Sequence, residues 1–193
     1  MRTTTRFRVR WDIDMLTAEK TVTAERKFDH AHPMRVCFVC TGNTCRSPMA
    51  AAILNHKTRV IEGCTACDPL EMLAKKPIRA TSAGLYAMGE PIAENAARAL
   101  EEAGIPSLAD NHYRAHVSRS IDLETMEVCD RIVGMTNRHA MQLLTLYPQF
   151  ASKITCFPED IPDPYGGDLE VYKACLDAIR RGIDAMFFPE ETA

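Results

Sequence analysis

The sequence predicts an α/β domain in three layers: a doubly wound, four-stranded parallel sheet with helices on both faces. Three observations predict it. Apolar runs of strand length recur four times, at 35–40, 77–82, 130–135 and 153–157. Longer stretches with apolar residues at helical spacing separate them, so successive strands return in parallel through crossovers. The chain has 193 residues, 46% of them hydrophobic, which suits one domain with a substantial core.

Each element has its own signal. Residues 35–40 read Arg-Val-Cys-Phe-Val-Cys, a buried strand. Residues 47–57 read as a helix with Met49, Ala52, Ile53 and His56 along one face. The second strand, 77–82, ends at Ser82-Ala83-Gly84. In 91–103, Ile92, Ala96, Ala99, Leu100 and Ala103 recur at helical spacing, and Gly104 suits the stop. Residues 121–128 form a short helix with Ser120 as its expected cap, followed by the third strand. Asn137 is expected to cap a helix bearing Ala140, Leu143, Leu144 and Tyr147. After the fourth strand, Asp168 caps a long helix whose stripe is Tyr172, Leu176, Ile179, Ile183, Met186 and Phe187.

Residues 1–33 stand apart. Phe7, Val9, Trp11 and Ile13 alternate with Arg6, Arg8, Arg10 and Asp12, a strand pattern, and 21–28 suit a partner strand. Two expectations follow: an appended β-hairpin that pairs with the domain or a second copy, or translation that naturally begins at Met34. The main domain is then 34–193. The net charge of −3 implies no general affinity for nucleic acid or anionic membranes. No apolar run is long enough to span a bilayer, and the N-terminus lacks an apolar signal core, so a cytoplasmic location is expected. The eight cysteines are scattered, and in a reducing compartment they are expected to be thiols. Cys64-Thr65-Ala66-Cys67 could be a redox couple or half a zinc site. No second such pair follows, so a surface loop with two thiols and no metal is the expectation.

The chemistry concentrates at Val39-Cys40-Thr41-Gly42-Asn43-Thr44-Cys45-Arg46-Ser47-Pro48, a strand end, a tight loop and a helix start. A thiolate there is a nucleophile. Inward-curling amides of Thr41 to Cys45 make a nest for an anion, and the helix start adds its positive end. Arg46 offers a planar fork for two oxygens of a tetrahedral anion. Gly42 takes backbone angles that a Cβ forbids, and Asn43 tolerates a left-handed turn. Ser47 is placed to donate to the Cys40 thiolate, and Pro48 suits the first helical turn. Together these point to cysteine-based phosphoryl transfer. Such a reaction needs a proton for the leaving group. Asp163 in Pro162-Asp163-Pro164-Tyr165-Gly166-Gly167 supplies a carboxyl group that flanking prolines hold in place. The first strand ends at Cys40 and the fourth leads to Asp163, so both motifs fall beyond the carboxyl edge of the sheet.

Val39 to Pro48 resembles, position by position, the signature V-C-x-G-N-x-C-R-S-P of the low-molecular-weight protein tyrosine phosphatase family, and Asp163-Pro164-Tyr165 resembles its acid loop. The resemblance spans about 34–188. It implies a two-step protein phosphatase without cofactor or metal, acting on phosphorylated protein, as a monomer or weak homodimer. It assigns Cys40 as nucleophile, Arg46 as phosphate ligand and Asp163 as general acid. Thr41, Gly42, Asn43, Thr44, Cys45 and Ser47 bind phosphate or support the loop, and Tyr165 lines the pocket. It also implies that Cys45 protects Cys40 through a reversible disulfide, and that His116 braces Asn43. Thr44 replaces the apolar residue usual in the tyrosine phosphatases. Cys-Thr-Gly-Asn-Thr-Cys-Arg-Ser-Pro is similar to the bacterial protein arginine phosphatase branch, as is the glycine after Tyr165. The expected substrate is therefore phosphotyrosine or phosphoarginine, with a slight lean to phosphoarginine. A thioredoxin-coupled arsenate reductase on the same fold is the alternative. It needs two closely spaced cysteines after the second strand, where Cys129 and Cys156 stand far apart. A phosphate-binding regulator would lack the nucleophile, arginine or acid, and all three are present.

Overall fold

The computed structural model describes residues 33–62, 77–108 and 110–189. Four parallel strands, β1 (Met34–Cys40), β2 (Ile78–Gly84), β3 (Arg131–Gly134) and β4 (Ile154–Cys156), lie in the order β2-β1-β3-β4. β1 is central. It pairs with β2 from Met34–Ile78 to Cys40–Gly84 and with β3 from Val36–Arg131 to Val39–Gly134. A strand flanked and covered in this way meets apolar surroundings on both faces, which is why 36–39 is apolar without alternation. The pleat sends Val36, Phe38 and Cys40 to one face and Cys37 and Val39 to the other.

Two cores result, one on each face of the sheet. On the first face, α1 (Arg46–Glu62), α2 (Glu94–Glu102) and α5 (Leu169–Phe187) bring Met49, Leu54, Leu100, Ile179 and Ile183 around Phe38. On the second face, α3 (Leu123–Val128) and α4 (Asn137–Leu146) bring Met126, Ala140 and Leu143 against Ile132. The three-layer, doubly wound architecture is as expected.

Several local readings are corrected. α1 does not show a single apolar stripe: Met49 to Leu54 are all buried, because sheet and helices enclose the first half of α1 on all sides. Its alanines permit that close approach. His56 lies further along, half-buried beside Ile53, Ile105 and Arg180. α2 starts at Glu94 rather than 91, since Pro91 is held in an antiparallel bridge to Val117. It ends where expected, with Gly104 at φ 75°. Asp122, not Ser120, caps α3, its Oδ1 accepting from Thr125 N at 2.7 Å. Thr136, not Asn137, caps α4, with Oγ1 accepting from His139 N at 3.3 Å. In both cases the side chain that reaches the second or third orphan N–H belongs to the residue immediately before the helix. Asp168 caps α5 as expected, accepting from Val171 N at 3.1 Å.

The C-terminal end of α3 is closed by Lys153. Its ammonium donates to the carbonyls of Met126, Glu127 and Cys129 at 2.8–2.9 Å. A cation there satisfies orphan carbonyls and suits the helix dipole. Lys153→Met is expected to lower unfolding free energy by about 1–2 kcal/mol, read by urea denaturation.

The expected N-terminal hairpin and the Cys64–Cys67 pair lie outside the described residues. Among the described residues, no helix is long and apolar enough to cross a membrane.

Candidate active site

The site is built at the carboxyl ends of β1 and β4. β1 delivers Cys40, the chain turns through 41–45, and α1 begins at Arg46. Cys40 is 3% exposed. Its Sγ lies 3.0 Å from Ser47 Oγ and accepts from Asn43 N at 3.2 Å. Ser47 Oγ itself accepts from Asn43 Nδ2 at 3.0 Å, and its one proton faces both the sulfur at 3.0 Å and the Ala83 carbonyl at 3.3 Å.

Asn43 organises the loop. Its φ is 58°, the left-handed region the sequence anticipates. Its amide nitrogen donates to both Ser47 Oγ and Ser82 Oγ, and its Oδ1 accepts from Arg119 N at 3.0 Å. The His116 ring nitrogen Nε2 lies 2.7 Å from the Asn43 carbonyl, the brace expected of it. Burial pushes the His116 ring down in pKa, against the pull of that carbonyl. Gly84, at the end of β2, completes the packing. A Cβ there would stand 2.8 Å from Thr41 O and 3.1 Å from Asn43 N. The chain beyond it runs beside the loop, with Leu85 N donating to Cys40 O and Tyr86 N to Thr41 O.

Arg46 is 6% exposed. Its guanidinium donates to Ile161 O at 3.3 Å and to Asp163 Oδ2 at 2.6 Å. Asp163 is about half exposed, so the ion pair spans the boundary between protein and cleft. The segment bearing Asp163 is pinned before and after it. Phe157 N and Ile161 N donate to Gly134 O and Met135 O, and Gly167 N to Pro164 O. The thiol of Cys175 on α5 donates to Pro162 O at 3.6 Å. Burial pushes that thiol up to about 12, so it is not a competing nucleophile. Tyr165 N donates to Asp163 Oδ1 at 3.3 Å, but its side chain is 82% exposed.

A cleft of about 380 Å³ opens over these groups, lined among others by Thr41, Arg46, Asp163, Tyr86 and His139. Tyr86, rather than Tyr165, supplies its aromatic wall. Thr44 turns its hydroxyl to within 3.5 Å of Cys45 Sγ, which also lies 3.3 Å from Tyr172 Oη. Cys40 and Cys45 are both free thiols. The expected set Cys40 to Ser47 and Asp163 is thus brought together, but Gly42 does not take the angles expected of it. Its φ is not in the left-handed region and a Cβ there would stand 3.8 Å from Thr44 Oγ1, the left-handed position being Asn43. Gly84, Ser82, Arg119, Tyr86 and His139 join it without having been singled out in that role.

His139 is buried, with Nε2 3.0 Å from Thr41 Oγ1 and Nδ1 2.7 Å from Thr136 Oγ1. Burial first, and Arg46 second, lower its pKa to about 4. The unfolded ring takes up a proton below about 6.5 while the folded ring stays neutral, so stability is full above 6.5 and lost as pH falls towards 4. His139→Gln is expected to remove that loss, which for wild type amounts to roughly 3 kcal/mol between pH 6.5 and 4. Urea midpoints across the acid range measure it.

A strand-end cysteine in an anion loop, facing a buried arginine and a carboxylate on a doubly wound sheet, defines the class of cysteine phosphatases. Residues 35–192 match the family model described as low molecular weight phosphotyrosine protein phosphatase, and the chain belongs to that family as a protein phosphatase. It is similar to the protein-arginine-phosphatase of Geobacillus stearothermophilus, 32% identical over 162 residues, covering 80% of this chain and 94% of that one. Among solved structures it is similar to a low molecular weight protein tyrosine phosphatase from T. tengcongensis, with a TM-score of 0.65 and 35% identity, covering 78% of this chain and 95% of that one. It is also similar to a cysteine-to-serine mutant of the YwlE arginine phosphatase with a phosphorylated active site serine, with a TM-score of 0.63 and 28% identity, covering 78% and 91%.

Proposed function

We propose that this phosphatase removes the phosphoryl group from phosphoarginine in proteins through a phosphocysteine at Cys40. The observation that carries the reading is the polar cleft wall, in which Thr41, Gln142 and Asp160 offer acceptors beside Asp163, with Arg138 also on the lining. A guanidine carries N–H donors that such a wall can accept, whereas a phenol ring would have to desolvate it. The likeness to the Geobacillus protein-arginine-phosphatase supports the same choice.

In the first step Cys40 Sγ attacks phosphorus in line, the S–P bond forming as the P–N bond breaks. Arg46 and the loop amides spread the charge of the equatorial oxygens. Asp163 gives its proton to the departing nitrogen. In the second step the Asp163 carboxylate takes a proton from water, the water oxygen attacks phosphorus, and the S–P bond breaks. Ser47 and the Asn43 amide receive the returning thiolate. The phosphorylated active-site serine of the YwlE mutant supports a covalent intermediate at the nucleophile position. Cys45 serves as the reversible redox partner of Cys40. Peroxide inactivation that thiols reverse in wild type, but not in Cys45→Ser, is the sign of it.

Phosphotyrosine is the second reading, favoured by the Tyr86 ring at the cleft. Phosphate release from matched phosphoarginine and phosphotyrosine peptides, with chelator present, separates the two. Higher kcat/KM on phosphoarginine is the expected result, and the reverse order overturns the substrate choice.

A further inference from the structure

The reaction as derived leaves unused a largely buried imidazole on the cleft lining, whose one polar link to the cleft is the Thr41 hydroxyl. His139 sits in the first turn of α4, where Thr136 caps the helix. Thr136 Oγ1 accepts from His139 N at 3.3 Å, and its own proton is then free to bond Nδ1 at 2.7 Å. With Nδ1 as acceptor the ring proton is on Nε2, which lies 3.0 Å from Thr41 Oγ1; in the opposite tautomer Thr41 donates to Nε2, and either one holds that hydroxyl. The backbone of Thr41 is also held, since its carbonyl accepts from Tyr86 N at 2.9 Å. Thr41 itself is exposed and lines the cleft with Arg46 and Asp163. Its hydroxyl therefore has a fixed position, with at least one lone pair left for the cleft.

A substrate with its phosphoryl group at Arg46 and its leaving atom at Asp163 has to pass Thr41. Both nitrogens of His139 already have partners, and burial keeps the ring neutral, so it carries no proton in the reaction. Its polar effect on a bound substrate is therefore exerted through Thr41.

We propose that His139 is a positioning residue that fixes the Thr41 hydroxyl against the leaving group, favouring guanidine-type leaving groups over aromatic ones. The proposal rests on the cysteine-phosphatase reading above and extends it to the element that selects the substrate. A fixed hydroxyl accepts from a guanidine N–H without first having to be ordered, and offers nothing to a ring face.

The test is kcat/KM on matched phosphoarginine and phosphotyrosine peptides for wild type, Thr41→Val, Thr41→Ser, His139→Leu and the Thr41→Val/His139→Leu double variant. Thr41→Val is expected to lower the phosphoarginine-to-phosphotyrosine ratio about tenfold, and Thr41→Ser to restore it. His139→Leu is expected to shift the ratio in the same direction, and the double variant to shift it no further than the larger single effect, because both act through one hydrogen bond. Thr41 is exposed, so Thr41→Val decides the question even where His139→Leu folds poorly. A Thr41→Val ratio equal to wild type, or additive effects in the double variant, would overturn the proposal. The wild-type ratio itself judges the substrate choice. A wild type that favours phosphotyrosine, with a ratio that still falls in Thr41→Val, would overturn that choice and sustain the role of Thr41 and His139.

Discussion

Arg46→Lys is expected to lower kcat/KM by on the order of 10³, although the positive charge is retained. The arginine is almost wholly buried, and one side of its guanidinium is held by Ile161 O and Asp163. That anchoring holds the planar fork at the cleft lining, where its remaining N–H groups can bind two phosphoryl oxygens at once. A lysine brings a single ammonium on a flexible stem. It cannot hold Ile161 O, Asp163 and two oxygens in fixed directions. The loss should appear mainly in kcat, because the fork fits the spread charge of the transition state better than the ground-state ester or amide. Equal changes in kcat and in the binding of inorganic phosphate would instead mean simple charge attraction.

Asp163→Asn has the second large effect, and its size depends on the leaving group. With a phosphoarginine peptide, kcat is expected to fall by roughly 10²–10³, because the carboxyl group beside Arg46 no longer has a proton to give to the departing nitrogen. With an aryl phosphate whose phenolate leaves unaided, the first step should be nearly unchanged. The second step still lacks its base, so a burst of phenolate followed by slow turnover is the expected trace. Equal loss on both substrates, without a burst, would assign Asp163 to holding Arg46 rather than to proton transfer. The 2.6 Å ion pair makes that outcome a real alternative, and the burst separates the two.

The parts of the site legible in the sequence are those contiguous in the chain. Cys40, Asn43, Arg46 and Ser47 fall within eight residues, so the strand–loop–helix reading already implied their geometry. Asp163 was legible because the strand order places its loop at the same sheet edge as Cys40. What was hidden comes from far along the chain and meets the loop only through space. Gly84 gave a faint signal, a glycine closing the second strand, but its role depends on Thr41 O standing 2.8 Å from where a Cβ would be. Arg119 contributes a backbone N–H, which no side-chain pattern reveals. His139 could have been found from Thr136 three residues before it, a cap pairing with its own first turn. The sequence reading put the cap one residue later, at Asn137.

The same physics explains the fold-level differences. The strand runs were readable because buried parallel strands are apolar throughout. The one-sided stripe assigned to α1 failed because a helix enclosed on all sides buries every residue from Met49 to Leu54. Tyr165 shows the limit of motif reading: its backbone supports Asp163 while its ring remains in solvent, and Tyr86 from a separate loop takes the aromatic place in the cleft.

The most direct test of the account is to trap the intermediate. Asp163→Asn enzyme would be mixed with an aryl phosphate, quenched in acid within the burst, digested and read by mass spectrometry. The account predicts one phosphoryl group on the peptide carrying Cys40, and no burst of phenolate from the Cys40→Ser/Asp163→Asn enzyme. A burst of phenolate with Cys40 unmodified, or turnover undiminished in Cys40→Ser, would contradict it.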